Sequence, residues 1–128
     1  MSTLIRNGGI GMLFVLLFGA VALLAGFYFA VRAERRTLGF VKDMSRATLF
    51  ATLACTSADI GATLYHSAEV MAAGEPYVLH GERIAPSAMI VEGLAESTSP
   101  GILGFSFLGM TAMLTAVGRR RMAERAAT

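Results

Sequence analysis

Two long uncharged stretches dominate the pattern of apolar and polar positions along the chain. The first runs from Asn7 to Val31 and the second from Ser97 to Gly118, and charged residues bound both. The hydrocarbon core of a bilayer is about 30 Å thick, so a helix needs roughly 20 apolar residues to cross it. A segment that crosses lipid must also satisfy its own backbone hydrogen bonds, as a helix does. Both stretches are therefore predicted to be transmembrane helices.

The first stretch has one alternative interpretation, a secretory signal peptide. Such a peptide has an apolar core of about 7–15 residues followed by a small-residue cleavage site. This stretch is longer, and it ends in the charged run from Arg32 to Arg36. A transmembrane helix is therefore favoured, in which Gly19 and Gly26 allow close helix packing. The opposite face is predicted to meet lipid, and it carries Phe14, Leu17, Val21, Leu24 and Tyr28.

A weaker apolar stretch over residues 47–68 contains a regular polar pattern. Steps of three and four residues place its polar members on one face of a helix, and these are Thr48, Thr52, Thr56, Asp59, Thr63 and His66. An ionisable group at mid-membrane costs about 2.5–3.5 kcal/mol on insertion scales and is rarely turned towards lipid. We therefore predict a second span whose polar face meets protein or water.

The third span is predicted to begin before its uncharged stretch. Pro86 suits the first turn of a helix, and a helix from there places Glu92 and Glu96 one turn apart on one face. A stripe of small and polar residues follows at helical spacing, formed by Gly93, Ser97, Gly101, Gly104, Thr111 and Thr115. Pro100 is expected to kink this helix, because it leaves the Glu96 carbonyl without a donor. The stripes of spans two and three either pack together or face a common pore.

Composition and charge agree with a membrane protein and give it a direction. Hydrophobic residues make up 55% of the 128 residues and charged residues 16%, whereas a soluble domain has about 25% charged residues. Lys and Arg cluster at 32–46 and 119–125, whereas 69–85 is mostly acidic. This alternation follows the positive-inside rule. The predicted fold is all-α with three transmembrane helices, the N-terminus outside and the C-terminus inside.

The predicted organisation is a single membrane domain with spans at about 8–31, 47–68 and 86–118. A basic cytoplasmic loop over 32–46 and an acidic outer loop over 69–85 connect them, with a short strand at 77–79 in the outer loop. The net charge of +2 does not indicate nucleic acid, since the basic residues alternate between loops. We expect the basic clusters to contact anionic lipid headgroups instead.

The candidate chemistry is a polar interior formed by spans two and three. An intramembrane acid is a functional-site hypothesis by default, so we predict a proton or cation pathway along Asp59, Thr63, Thr56, Thr52, Glu96 and Glu92. Helix packing is assigned to Gly93, Gly101, Gly104 and Pro100. In the alternative interpretation the threonines bond their own i−4 carbonyls, and Asp59 is neutral and bonded to a neighbouring helix.

Other chemistry finds little support in the sequence. His66 and His80 have no third residue spaced with them as a zinc ligand, and Cys55 has no partner for an internal disulfide. Cys55 is predicted to be a small helix-packing residue. Nucleotide-binding loops, nucleophile elbows and zinc patterns are not found in the sequence. We therefore expect no metal, no cofactor and no enzymatic activity.

The approach to the third span resembles the MotA/TolQ/ExbB proton-channel family. The stretch 90–104, IVEGLAESTSPGILG, is similar to that family's Gly-(Ile/Leu)-x-Glu-Ala motif, followed by a Thr-Ala-x-Gly stretch and an apolar helix. Gly93, Glu96 and Gly104 stand where the family has its glycine, glutamate and second glycine. Gly101 replaces the family's pore threonine, with Thr98 one turn away. The family's large cytoplasmic region is reduced here to 32–46.

The resemblance implies an oligomeric subunit of a bacterial inner membrane. In that family five copies surround two helices of a partner of the MotB/TolR/ExbD kind, and proton flow through the assembly drives work at a distance. The alternative is a non-conducting structural or accessory subunit whose polar helix faces bind helices of a larger complex. Proton flux that disappears with Asp59 and Glu96 would separate the two.

Overall fold

The computed structural model describes residues 9–74, 77–79 and 82–127, and this part of the chain is almost entirely helical. Its elements follow in the order α1 (Gly9–Arg32), α2 (Arg35–Ala73), β1 (Tyr77–Leu79), β2 (Glu82–Ile84), α3 (Pro86–Ser97) and α4 (Ser99–Ala127). Helix α1 packs against both α2 and α4, and α2 also packs against α3 and α4. The core is therefore the space between three long antiparallel helical segments.

Three helical segments of the described chain are long and apolar enough to cross a membrane. They are Gly11–Arg32, Arg35–Ala73 and Ser87–Ala127, the last of which includes both α3 and α4. This confirms the prediction of a helical protein with three segments long and apolar enough to span a membrane. The direction in which the termini face stays a prediction. At 1.5 Å per residue α2 is about 58 Å long, so it projects well beyond a hydrocarbon core of about 30 Å.

Helix α1 has one face buried against the rest of the protein. Val15, Ala22 and Phe29 are fully buried, and their spacing of seven residues keeps them on one face. Gly19 faces the Phe107 ring of α4, and the Cβ of a residue other than glycine at 26 would lie 3.3 Å from Thr111 Cγ2. The opposite face, predicted to meet lipid, is exposed at Phe14, Leu17, Leu24 and Tyr28 and half-buried at Val21.

The prediction of a loop over 32–46 is wrong, because most of this segment is helical. Only Ala33 and Glu34 separate α1 from α2, which begins at Arg35. From there to Arg46 the chain has no proline and a single glycine, and its arginine, leucine, lysine and methionine residues favour a helix. Hydropathy located the end of the apolar stretch, whereas the backbone continues as a helix through the polar residues.

Ala33 turns the chain between these helices in a left-handed conformation, with a φ of 52°. Its N–H donates to the Phe29 carbonyl at 2.8 Å, and its side chain is buried. Such a conformation is unfavourable for a residue with a Cβ and most unfavourable for a β-branched one. The sharp two-residue connection therefore depends on a small side chain at this position.

We expect Ala33→Val to lower the free energy of unfolding by about 2 kcal/mol, because the branched side chain opposes a positive φ. Ala33→Gly should stay within about 1 kcal/mol of the unchanged protein, since the lost methyl offsets the relieved backbone. Ala54→Val, at an exposed helical position of α2, is the matched control. Thermal unfolding in detergent checks the order, and equal effects at 33 and 54 would contradict the left-handed turn.

The predicted acidic loop over 69–85 is shorter than its charge pattern indicates. Helix α2 continues to Ala73 and ends at Gly74, whose φ of 65° is left-handed. The strand predicted at 77–79 is confirmed as β1, and it pairs antiparallel with β2, which we did not predict. Tyr77 lies opposite Ile84 in this hairpin. His80 lies outside the described residues.

The third span contains the interruption expected near Pro100. Helix α3 begins at Pro86, as predicted, and ends at Ser97, while α4 starts at Ser99. Thr98 lies between them, and its N–H donates to the Ala95 carbonyl at 3.3 Å. Proline has no N–H to donate to the carbonyl four residues before it. The helix therefore breaks where this hydrogen bond would be missing.

Both basic segments lie at one end of the helix bundle. Arg121 Nη1 donates to the Ala30 carbonyl at 2.9 Å, and Arg125 Nη1 donates to the Arg32 carbonyl at 2.8 Å. These carbonyls belong to the last turn of α1, where the carbonyl oxygens have no N–H partner within the helix. A cation is favoured there by the helix dipole. We call this the basic end of the bundle.

Candidate functional site

A polar cleft lies between α2 and α3, away from the basic end. It consists of two recesses of about 170 and 220 Å³ that share Thr63, Gly93 and Glu96. Asp59 and Ser97 line the smaller recess, and His66, Ser67 and Glu92 line the larger one. We call this the acidic cleft, formed by Asp59, Thr63, His66, Glu92, Glu96 and Ser97.

A glycine brings the two walls of the acidic cleft together. Gly93 of α3 lies directly against the side chain of Thr63, where a Cβ would overlap the threonine methyl. Small residues permit such close helix contacts in membranes. Because Gly93 is three residues before Glu96 and one after Glu92, the same contact holds both carboxylates beside α2. The helical spacing of α2 then places Asp59 and His66 along the same line.

Hydroxyl groups connect the two helices at the centre of the cleft. Thr63 Oγ1 and Ser97 Oγ lie 3.3 Å apart. Ser97 directs its one hydroxyl proton to the Gly93 carbonyl at 2.7 Å, so Thr63 is the donor to Ser97 and Ser97 is the acceptor. Ser67 similarly donates to the Thr63 carbonyl at 2.7 Å. The cleft therefore contains an ordered hydroxyl pair between its carboxylates.

The carboxylates of the cleft face outward from the single chain. Asp59 is half-buried, whereas His66, Glu92 and Glu96 are exposed. An acid that faces lipid near the middle of a membrane is unfavourable by about 2.5–3.5 kcal/mol. Asp59 lies in the middle of the segment predicted to span, so water or another helix is expected to cover this side of the chain.

Two residues predicted for the ion pathway lie elsewhere. Thr52 and Thr56 are on the same face of α2 but nearer the basic end, where they pack against Gly104 and Gly101 of α4. Thr52 is fully buried and donates to the Thr48 carbonyl at 2.7 Å. Its contact with Gly104 is close enough that a Cβ there would overlap the hydroxyl. We call this contact the threonine–glycine seam, formed by Thr52, Thr56, Gly101 and Gly104.

The seam decides between the two arrangements that the sequence left open. The small and polar stripes of spans two and three pack against each other within one chain, from Thr63 with Gly93 to Thr52 with Gly104. Pro100 is also buried. The stripes therefore have partners without a second subunit, and the acidic cleft is the part of the polar pattern that remains open.

His66 and Ser67 line the acidic cleft, although neither is among the residues predicted for the ion pathway. The sequence places His66 in the polar stripe of span two, and the structure shows that it lines the cleft. Its step of three residues from Thr63 was the signal, together with the step of four from Thr63 to Ser67. Cys55, predicted as a packing residue, donates from Sγ to the Gly11 carbonyl of α1 at 3.1 Å.

The described part of the chain holds no group of three His, Cys, Asp or Glu side chains placed to bind a metal ion. No family model, curated protein or solved structure matches the chain. The class of the molecule therefore comes from its fold: a small helical protein with three segments able to span a membrane. Its chemistry comes from the acidic cleft.

Proposed function

We propose that the chain is a non-enzymatic subunit of a proton-conducting membrane assembly, with the acidic cleft as its proton pathway. The observation that carries the proposal is the meeting of Asp59, Glu92 and Glu96 from two helices in one polar cleft. Carboxyl groups take up and release protons, and hydroxyl groups such as Thr63 and Ser97 can bridge them. Intramembrane chains of Asp, Glu and His are typical of proton relays.

The cleft covers only part of a membrane crossing. From His66 to Asp59 is seven residues of helix, or about 10 Å of a core of about 30 Å. Beyond Asp59, towards the basic end, the threonine–glycine seam fills the contact between α2 and α4. One chain therefore supplies about a third of a pathway, which ends at Asp59. The remaining distance is left to a second copy or to a partner helix.

This incomplete pathway suits the assembly implied by the resemblance of 90–104 to the MotA/TolQ/ExbB family. In that assembly five copies of this chain would surround two helices of a single-span partner of the MotB/TolR/ExbD kind. The exposed side of the acidic cleft would then face the partner helix. The basic end would lie on the cytoplasmic side of a bacterial inner membrane, with the N-terminus outside and the C-terminus inside.

Proton flux into liposomes tests this function. Purified protein is reconstituted around a pH-sensitive dye, and a potassium gradient with valinomycin drives proton entry. We expect Asp59→Asn combined with Glu96→Gln to lower the flux at least about tenfold, towards that of protein-free vesicles, because neither amide can exchange a proton. The matched control is Asp43→Asn combined with Glu124→Gln, which makes the same changes at exposed acids outside the cleft.

Flux that survives the cleft double variant would contradict the proposed pathway. Flux of the unchanged chain no greater than that of protein-free vesicles would contradict conduction by this chain alone. The mass of the detergent-extracted assembly is a second measurement. Several copies per particle are expected, because the cleft is open on one side in the single chain.

A second candidate function is a non-conducting structural subunit. The observation in its favour is that threonines on the polar face of α2 serve packing. Thr48 and Thr52 are buried, and each donates to the carbonyl four residues earlier. Asp59 would then bond a helix of a larger complex. This candidate predicts a particle whose mass includes a different protein and liposomes without proton flux.

A further inference from the structure

A second cleft lies at the basic end, between α2 and α4, on the far side of the threonine–glycine seam from the acidic cleft. Its volume is about 530 Å³, which is within the usual range of about 300–1,000 Å³ for small-molecule sites. Lys42, Ser45 and Arg46 of α2 form one wall, and Thr115 and Arg119 of α4 form the other. We call it the basic cleft.

Helical spacing places the polar residues of each wall on one face of its helix. Lys42, Ser45 and Arg46 are at steps of three and one, on one face of α2, and Thr115 and Arg119 are one turn apart on α4. Ser45 donates to the Val41 carbonyl at 2.8 Å and Thr115 to the Thr111 carbonyl at 2.7 Å. Their hydroxyl protons are therefore directed to backbone oxygens. The donors that remain for a ligand are the ammonium and the two guanidinium groups.

The charge of the basic cleft is not balanced by its own lining. The described residues that line it include three cations and no acid. The acid beside it is Asp43, whose Oδ1 lies 3.8 Å from Arg46 Nη1, with the two side chains 70% and 73% exposed. An exposed pair at that distance contributes little, about 0–1 kcal/mol. Arg46 therefore remains able to bind an anion.

The basic cleft also has a small apolar wall. Val41, Ala112 and Ala116 line it, and Ala112 is seven residues, or about 10 Å, from Arg119. Arg119 is the first charge after the uncharged stretch 97–118, so it lies where a bilayer changes from hydrocarbon to headgroups. The cleft thus combines cations that suit an anion with an apolar wall that suits hydrocarbon.

We propose that the basic cleft binds the phosphate group of an anionic phospholipid. Lys42, Arg46 and Arg119 would bind the phosphate oxygens, for which guanidinium groups are well suited. Ala112 and Ala116 leave room for the glycerol and the start of an acyl chain. Basic pockets between membrane helices are a known form of lipid site. Inorganic phosphate shares the same recognition chemistry but makes no use of the apolar wall.

Native mass spectrometry of the full chain in detergent tests the site with phosphatidylglycerol and phosphatidylcholine of the same acyl chains. The unchanged protein should retain one phosphatidylglycerol in preference to phosphatidylcholine. Arg46→Gln with Arg119→Gln should weaken that retention about tenfold, since two of three phosphate donors are lost. Both side chains are exposed, so the core stays intact. The control, Arg36→Gln with Arg120→Gln, removes equal charge from the same two helices outside the cleft.

An equal loss in the cleft variant and in the control would overturn the proposal, because attraction would then follow total charge. Equal retention of the two lipids by the unchanged protein would overturn it too. Ala116→Leu separates the two phosphate sources by occupying the space beside the apolar wall. We expect it to lower lipid retention at least about threefold. Unchanged retention in Ala116→Leu, with ready displacement of the lipid by inorganic phosphate, would reject the lipid as the ligand.

Discussion

Replacing Gly118 with alanine is expected to lower the free energy of unfolding by about 3 kcal/mol, the upper part of the usual range for overpacking. The added Cβ would lie 2.6 Å from Phe29 Cε1 and 2.9 Å from the Phe29 carbonyl oxygen. Phe29 is fully buried, so its ring has no free space to enter. Because one of these contacts is to backbone, a rotamer change cannot remove it, and α1 and α4 must separate.

The separation would also weaken the basic end of the bundle. The bonds from Arg121 to the Ala30 carbonyl and from Arg125 to the Arg32 carbonyl lie directly beyond this contact. Both need α1 and α4 at their present distance. The loss at Gly118 should therefore include part of these charge-assisted hydrogen bonds, which contribute about 1.5–3 kcal/mol each in favourable cases.

Thermal and denaturant unfolding in detergent measure this effect, with Gly109→Ala as the matched control. Among the described residues no atom of another segment lies within 4 Å of the Cβ that alanine would add at 109. In a helix interior that change should stabilise by about 0.5–1 kcal/mol. Similar unfolding midpoints for the variants at 109 and 118 would contradict the close approach of α1 and α4.

The elements that the sequence predicted well are those set by local periodicity. An apolar stretch of sufficient length and a polar stripe at steps of three and four residues need no knowledge of distant residues. The three spanning segments, the start at Pro86 and the strand at 77–79 are of this kind. The gathering of Asp59 with Glu96 also followed from two stripes that each had to avoid lipid.

Helix ends and partner contacts could not be read in the same way. Hydropathy indicates which residues can lie in lipid, but it does not indicate where a helix begins or ends. Helix α2 therefore begins at Arg35, although its apolar part begins near Ala47. Gly118 closes the apolar stretch beside three arginines and looked like a boundary. Its contact with Phe29 depends on the axial register of α1 and α4, which are distant in sequence. That register is set by the packing of all three helical segments together.

The same limit applies to the acidic cleft and the threonine–glycine seam. Sequence spacing placed Thr52, Thr56, Asp59 and Thr63 on one face but could not say where along that face α3 and α4 would lie. The break at Thr98 decides this, because it divides the third span into a part beside Asp59 and a part beside Thr52. One predicted pathway thus became an open cleft and a closed seam.

The second large effect on stability is expected at the threonine–glycine seam, where a small residue of α4 faces a larger one of α2. Gly104→Ala should lower the free energy of unfolding by about 2–3 kcal/mol. The new Cβ would overlap the Thr52 hydroxyl and lie 2.6 Å from Cγ2 and 2.8 Å from Cβ of that residue. In contrast to Gly118, every one of these obstacles belongs to a side chain. The clash should therefore be reversible by a change at position 52.

Thr52→Gly removes all three obstructing atoms. Alone it should lower the free energy of unfolding by about 1–2 kcal/mol, through the lost side chain and the poor helix propensity of glycine. Combined with Gly104→Ala, the alanine methyl would occupy the space that the threonine leaves. The double variant should then be no less stable than Thr52→Gly alone, which corresponds to a favourable coupling of about 2–3 kcal/mol, the whole cost of Gly104→Ala.

A double-mutant cycle by unfolding in detergent measures that coupling, and Gly109→Ala with Thr52→Gly supplies an additive reference. Truncation to alanine at 52 makes the test finer. Thr52→Ala removes the hydroxyl and Cγ2 but keeps the Cβ that would lie 2.8 Å from the new methyl. Rescue by alanine should therefore be partial and rescue by glycine complete. Purely additive effects in the Gly104 cycle would contradict the seam, because residues that do not touch have no reason to compensate each other.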